Sequence, residues 1–451
     1  MIVLLSSLLA LVEGVDLSKC VTHVPGKIDE KLFSENKELG FIIKKNPASG
    51  MIKRIIKEGE VSGYYYKGTV GYYVLHFRDV RGVSFANHSY VNPSQYSSAQ
   101  AVIHMVSEVL ENKKVIVDQD MICVNTFHVM LVRIDNMRTI ESFVKGERFV
   151  NVFVEIVPCD NLHHYYSVTV KTRMSIYYLL NFVQTLFITI ASLNSGDFHV
   201  ADALAIKLVR CLNYVDAPYF IRYLMASRIL YRKDFKALKV DLENCRGHIV
   251  SLNYGTTANH RLNYIKKLLG FDKSIVDIGC GDGFYAVGFS KLLGDIPYFA
   301  FDTDQAPVEQ LKKKKVKHSL MNLHIFAAKE ELYDRLSKLE GKIDVIITEV
   351  VEHMGKAESR EFLLELLEKV KSKFNIIIIT TPNYEFNVNY CSDGKFRHFD
   401  HKWEMNVREF RGFMGEILNT VKLGDRAVEY VGIGDVVDSI ACTQGVIIKN
   451  N

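Results

Sequence analysis

The sequence predicts a chain of two domains: an α+β domain over residues 31–240, followed by a doubly wound α/β domain with a mainly parallel sheet over residues 260–451. Three observations carry this. From Leu262 onward, short apolar runs alternate with helical stretches, the pattern of successive βαβ units. The first of those runs ends in a glycine-rich turn, Asp277-Ile278-Gly279-Cys280-Gly281-Asp282-Gly283. Before Lys239 strands and helices occur without that alternation, which reads as mixed α+β structure.

Length and composition allow this division. The 451 residues suffice for two or three domains, and 48% hydrophobic with 24% charged residues is ordinary for a globular protein. A net charge of +4 permits a polyanionic partner without requiring one. The eight cysteines are scattered with no C-x-x-C, so neither a zinc knuckle nor a disulfide framework is indicated, and a reducing compartment such as the cytoplasm fits. Met1 to Val12 is apolar but has no basic residue before Glu13, unlike a secretory signal. Residues 1–30 read as an N-terminal extension, and whether residues 1–15 are a signal stays open.

In the first domain, Val61 to Val80 reads as a hairpin broken at Gly68 and Gly71. Ala99–Leu110, Ile176–Leu193 and Ala201–Leu212 read as helices, and Phe149–Val157 and Tyr165–Val170 as strands. Ile176–Leu193 reaches membrane-spanning length only marginally, and Asn181, Gln184 and Thr185 interrupt it, so a buried helix is the reading and no membrane is expected. Polar residues 241–259 read as the linker. In the second domain the strand candidates are Ile275–Ile278, Tyr298–Phe301, His324–Ala327, Ile343–Thr348 and Asn375–Thr380.

Two stretches carry chemistry. Alternate glycines let the backbone at 279–283 turn sharply and approach a ligand, with the free N–H groups of the next helix beyond. Asp302 ends the following strand and can accept both hydroxyls of a ribose. D-x-G-x-G-x-G resembles motif I of S-adenosylmethionine methyltransferases. The second stretch, Glu349-Val350-Val351-Glu352-His353-Met354, leaves the end of a buried strand, where open α/β sheets bind ligands. Two carboxylates and an imidazole suit a cation such as Mg²⁺ or Mn²⁺. The bland alternative is a solvated helix start, where the helix dipole favours acids. Lys312 to Lys315 likewise reads as a solvated face before an RNA groove.

E-V-V-E-H-M, Thr381-Pro382-Asn383-Tyr384-Glu385-Phe386-Asn387 and Arg397-His398-Phe399-Asp400-His401-Lys402-Trp403-Glu404 follow in this order behind D-I-G-C-G-D-G. Together they resemble the RNA 3′-terminal ribose 2′-O-methyltransferases of the HUA-enhancer family over residues 250–449. The resemblance implies a Rossmann-like S-adenosylmethionine-dependent methyltransferase domain preceded by the α+β domain. It implies metal ligands at Glu349, Glu352, His353 and His401, which would also be the catalytic set. It places Asp277, Gly279, Gly281 and Asp302 at the cofactor, and Arg397 and His398 beside the terminal nucleotide, unless local hydrogen bonds occupy them. The chain departs from the family's aromatic-Glu-Trp-Thr-Arg with Trp403-Glu404-Met405-Asn406-Val407, where Asn406 can still cap the next helix.

A fainter resemblance covers the first half. Glu38-Leu39-Gly40-Phe41-Ile42-Ile43-Lys44-Lys45-Asn46-Pro47 and Tyr90-Val91-Asn92 with Tyr96-Ser97-Ser98 are similar to the bacterial RNA-repair branch of that family. There this half activates the ligase of a separate kinase–phosphatase–ligase. The implied function is methylation of the 2′-hydroxyl at RNA 3′ ends, in repair or in protection of small RNA. A non-catalytic adaptor that grips RNA ends and activates a ligase is the alternative.

Overall fold

The computed structural model describes residues 2–5, 51–56, 59–67, 71–79, 97–110, 124–145, 149, 151–159, 162–194, 198–390, 396–424 and 426–450. The chain divides into two units, Met1–Gly247 and His248–Asn451. The boundary between the units falls within residues 241–259, read from sequence as the linker, but the connection itself is short. The helix Arg232–Glu243 ends in them, the strand Val250–Ser251 lies within them, and the helix Thr257–Leu268 begins there. Polar composition reports exposure, and a helix end, a short edge strand and a capped helix start are exposed as a linker is.

The first unit holds seven strands: β1 (Ile2–Leu5), β2 (Met51–Ile56), β3 (Gly59–Lys67), β4 (Gly71–Asp79), β5 (Asn125–Arg133), β6 (Val152–Pro158) and β7 (Tyr165–Thr172). Their order is β2-β3-β4-β1-β5-β7-β6. β3 and β4 form the expected antiparallel hairpin. β1 lies between β4 and β5, parallel to both. Within the expected extension 1–30, residues 2–5 are thus a sheet strand, which a four-residue apolar run is too short to reveal by periodicity. The segments Glu38–Pro47 and Tyr90–Tyr96 lie outside the described residues. Helix Ile176–Leu193 is the one described helix long and apolar enough to cross a membrane, and it is mostly buried within this unit. Its polar residues bond inside the unit: Gln184 Nε2 donates to Ile103 O at 3.0 Å and to Ser107 Oγ at 2.8 Å, and Thr185 Oγ1 to Asn181 O at 3.0 Å, while Gln184 Oε1 is buried without a partner.

The second unit is built on β8 (Val250–Ser251), β9 (Ser274–Ile278), β10 (Tyr298–Phe301), β11 (Leu323–Phe326), β12 (Ile343–Thr348), β13 (Phe374–Pro382), β14 (Ala427–Val437) and β15 (Ile440–Lys449). The order is β11-β10-β9-β12-β13-β15-β14-β8. The first five of that order run parallel, and β15, β14 and β8 pair antiparallel. Each parallel strand coincides with a sequence-predicted one to within two residues, because strands buried on both faces are short apolar runs. Alternate side chains feed opposite layers: Ile343, Val345 and Ile347 pack with helices Lys329–Ser337, Lys356–Val370 and Val407–Val421, while Ile346 packs with Thr257–Leu268, Ala286–Leu293 and Gln305–Lys317. Asn406 caps the helix Val407–Val421 in a reciprocal box with Glu409, at 2.8 and 3.0 Å. The chain leaves β9 toward β10 on one side and enters β12 on the other. The loops after β9 and β12 therefore meet at the topological switch point of the sheet.

Candidate functional site

Contact between those two loops decides which residues they can contain. Gly279 has φ of +70°, and a Cβ there would meet Val350 Cγ2 at 2.3 Å. The acidic loop after β12 thus packs directly on the glycine-rich loop after β9. Gly281 has φ of +53° and its Cα faces open space. Asp302 organises the turn: its Oδ2 accepts the Gly281 N–H at 2.7 Å and its Oδ1 the Asp304 N–H at 2.9 Å. A cleft of about 1010 Å³ is lined by Gly279, Phe301 and Asp302 and also by Glu349, Val350 and His353.

Asp277 does not line this cleft. It is fully buried, and its Oδ2 accepts the Tyr298 hydroxyl at 2.7 Å. Burial, with Asp302 nearby, pushes its carboxyl up to about 7 against the pull of that hydrogen bond. It stands behind the turn and away from the cleft lining, with its Oδ1 unpartnered. Strand alternation explains this, since residue 277 points into the sheet's helical layer and not past its end.

The acidic loop begins with Glu349, whose φ of 55° is left-handed and strained for a residue with a Cβ. The Glu349 N–H donates to Thr380 O at 2.9 Å. Its Oε1 accepts from Thr380 Oγ1 at 3.1 Å, and its Oε2 pairs with Arg261 Nη1 at 3.3 Å. One 3-10 turn, Val351–His353, follows and turns Glu352 inward. Glu352 is completely buried; Thr381 Oγ1 donates to its Oε2 at 3.1 Å, and its Oε1 has no hydrogen-bond partner. Burial, reinforced by nearby Glu349, holds this carboxyl well above the usual range.

Of the four sequence-predicted metal ligands, Glu352, His353 and His401 bring ligand atoms within 4.8 Å of one another, while Glu349 stays with Arg261 and Thr380. The trio fits a divalent cation, because an unpartnered buried carboxylate oxygen faces a desolvation cost that a positive charge removes. Both histidines are oriented from behind. The His401 Nδ1–H donates to Glu404 Oε1 at 2.5 Å, and the His353 Nδ1 pairs with Asp400 Oδ2 at 3.0 Å. Burial opposes ionisation of Glu404, but hydrogen bonds from His401, Asn387 and the Arg397 N–H outweigh it and keep the carboxyl below its ordinary value. Burial lowers His353, which keeps its imidazole neutral and able to coordinate.

Arg397 is placed differently from the terminal-nucleotide role. Its guanidinium donates to Cys442 O at 2.7 Å and Asn387 Oδ1 at 3.3 Å and lies 5.0 Å from the Tyr390 ring. It ties its loop to β15. His398 is exposed and bonded to Asp400. Lys314, within the lysine run, donates to Asp282 O at 2.9 Å and Oδ2 at 2.6 Å, so one lysine of the solvated face steadies the glycine-rich loop. Arg261, Thr380, Thr381 and Glu404 were not singled out from sequence. Thr381 and Glu404 left a trace there, as the first residue of one quoted motif and the last of the next.

Residues 275–373 match a family model described as a methyltransferase domain. With this strand order and a glycine-rich loop at the switch point, the second unit is a Rossmann-like, S-adenosylmethionine-dependent methyltransferase domain. Residues 30–246 match a family model described as the Hen1 N-terminal domain. The chain is similar to the small RNA 2′-O-methyltransferase of Caenorhabditis elegans, 30% identical over 155 residues, which cover 31% of this chain and 35% of that one. The Arabidopsis thaliana small RNA 2′-O-methyltransferase is 29% identical over 193 residues, 36% of this chain and 19% of that one. The chain thus spans about a third or less of the length of these curated relatives. In fold it is similar to a chain of a solved structure described as the Pnkp1/Rnl/Hen1 RNA repair complex. The TM-score is 0.70 at 23% identity, over 92% of this chain and 98% of that one.

Proposed function

We propose that the chain transfers a methyl group from S-adenosylmethionine to the 2′-oxygen of the 3′-terminal ribose of RNA, in a reaction that depends on Mg²⁺ or Mn²⁺. The observation that carries this reading is the cleft wall shared by Gly279 and Asp302 with Glu349 and His353. The names of the relatives supply the substrate class. Each Asp302 oxygen accepts one backbone N–H and keeps lone-pair capacity for a ribose hydroxyl of the cofactor. Glu352, His353 and His401 would hold the cation, with Glu349 joining by release from Arg261. A bound divalent cation supplies Lewis acidity, which makes a ribose hydroxyl a better nucleophile. The chain's own part is positioning. Glu404 and Asp400 fix the two imidazoles, and the contact of Val350 with Gly279 sets the spacing between the two loops.

For the first unit we propose docking on an RNA-repair kinase–phosphatase–ligase and action on cleaved RNA in the cytoplasm; the docking is supported by the Hen1 N-terminal domain match and by the likeness in fold to a chain of the Pnkp1/Rnl/Hen1 RNA repair complex. The test uses labelled S-adenosylmethionine and a short RNA ending in a free 2′,3′-diol. Label should enter that RNA with Mn²⁺ or Mg²⁺, stop on chelation, and be absent from the same RNA ending in a 2′-deoxyribose. Full turnover in chelator would remove the cation from the mechanism. RNA and cofactor binding with no transfer would leave the ligase-activating adaptor as the function.

A further inference from the structure

We propose that Phe399 is the stacking platform for the 3′-terminal nucleobase of the RNA, an assignment that rests on the RNA-end reading of the same site. Phe399 is 92% exposed, although it lies between residues that are tightly held. The Arg397 N–H donates to Glu404 Oε1 at 2.6 Å, and the Lys402 N–H to Glu352 O at 2.8 Å. Trp403 Nε1 donates to Met354 O at 3.0 Å, and Asp400 is bonded to both His398 and His353. The backbone on either side of Phe399 is therefore pinned, after it to Glu352 of the cation trio and before it to Glu404, which holds His401, and the ring is carried by a short, braced loop.

A single exposed phenylalanine needs no explanation in general. This one is distinguished by its position. Its ring is 4.6 Å from the His398 ring, which is 5.7 Å from the ring of His401. Two ring-to-ring steps thus separate an exposed aromatic face from a residue proposed to hold the ribose-directed cation, which is the scale of one nucleoside. Proteins that read single-stranded RNA ends stack splayed bases on aromatic side chains. Such stacking tolerates any base, because every base has a π-face. Phe399 would then accept the base while the trio addresses its sugar. The end would be read by its ribose hydroxyls with little preference among the four bases.

The experiment places 2-aminopurine as the 3′-terminal ribonucleotide of a short RNA and follows its fluorescence on titration with the full chain. Wild type should quench it strongly, and quench the same probe placed five positions inward much less. Phe399→Ala should lose the terminal quenching and raise KM for RNA by about tenfold or more, with a smaller change in kcat and unchanged S-adenosylmethionine binding. Phe399→Trp should restore both quenching and KM, and Phe399→Leu should not. On an RNA ending in an abasic ribose, wild type and Phe399→Ala should have the same KM. If methylation proceeds but Phe399→Ala keeps wild-type KM and quenching, the platform is wrong and the RNA-end reading stands. If wild type methylates no RNA end under any cation, that reading falls and the platform with it.

Discussion

The glycine-rich loop after β9 and the acidic loop after β12 leave neighbouring strands of one sheet and touch each other, yet they are held in different ways. In the first, the groups that shape the turn are paired: Asp302 accepts two backbone N–H groups and Lys314 anchors Asp282, while the buried Oδ1 of Asp277 behind it has no partner. In the second, a strained Glu349 leans on Arg261, and one buried oxygen of Glu352 has no partner. The first loop is complete as backbone and waits only for a ligand of matching shape. The second carries an electrostatic deficit that a cation removes. Shape is set by glycine geometry, whereas the deficit is set by burying acids, so the two loops should respond differently to mutation.

The largest expected effect is on turnover. Glu352→Gln keeps the shape of the protonated acid but removes the anionic ligand. Methyl transfer should fall on the order of 10²–10³-fold. Stability in chelator should stay within about 1 kcal/mol of wild type, since amide and protonated carboxyl are nearly isosteric. Trp403, the chain's only tryptophan, is buried beside the site and donates to Met354 O at 3.0 Å, so its fluorescence reports unfolding of this unit. Turnover within tenfold of wild type would remove the contrast between the loops.

Next in size is the reverse experiment. Gly279→Ala places a Cβ 2.3 Å from Val350 Cγ2 at a φ of +70°. Unfolding followed by Trp403 should show a loss of about 2–4 kcal/mol, from the left-handed backbone and the overpacked contact together. Here stability and cofactor affinity should fall in step, unlike Glu352→Gln. Wild-type stability in Gly279→Ala would mean that the two loops are not in close contact.

The third effect is a pH slope. Folded Asp277 holds its proton to about 7, whereas the ordinary value for the unfolded chain is 3.8. Between these values the folded chain binds the extra proton and unfolding releases it. The stability this group contributes is therefore present below 3.8 and lost as pH rises toward 7. Asp277→Asn should flatten that fall, measured as the difference in denaturation midpoint between wild type and variant across the window. Parallel curves for the two proteins would show that Asp277 does not titrate there.

Much of the second unit was legible in the sequence because its signals are local. Buried parallel strands are unbroken apolar runs, and the motifs at 277–283 and 349–354 sit at strand ends by simple succession. Asn406 was readable as a cap because a cap needs only the residues that follow it. What the tertiary structure alone decided involves partners far apart in the chain or the direction of one side chain. Glu349 goes to Arg261 and not to the trio, and His401 reaches Glu352 across 48 intervening residues. Arg397 turns back onto the carbonyl of Cys442, and Asp277 faces the core where its motif suggested a ligand. Ile2–Leu5 finds its place between β4 and β5. Spacing along a chain determines which face of a strand or helix a residue occupies. It does not determine which distant carboxylate, carbonyl or strand will be brought against that face, because that choice is made by the packing of the whole sheet.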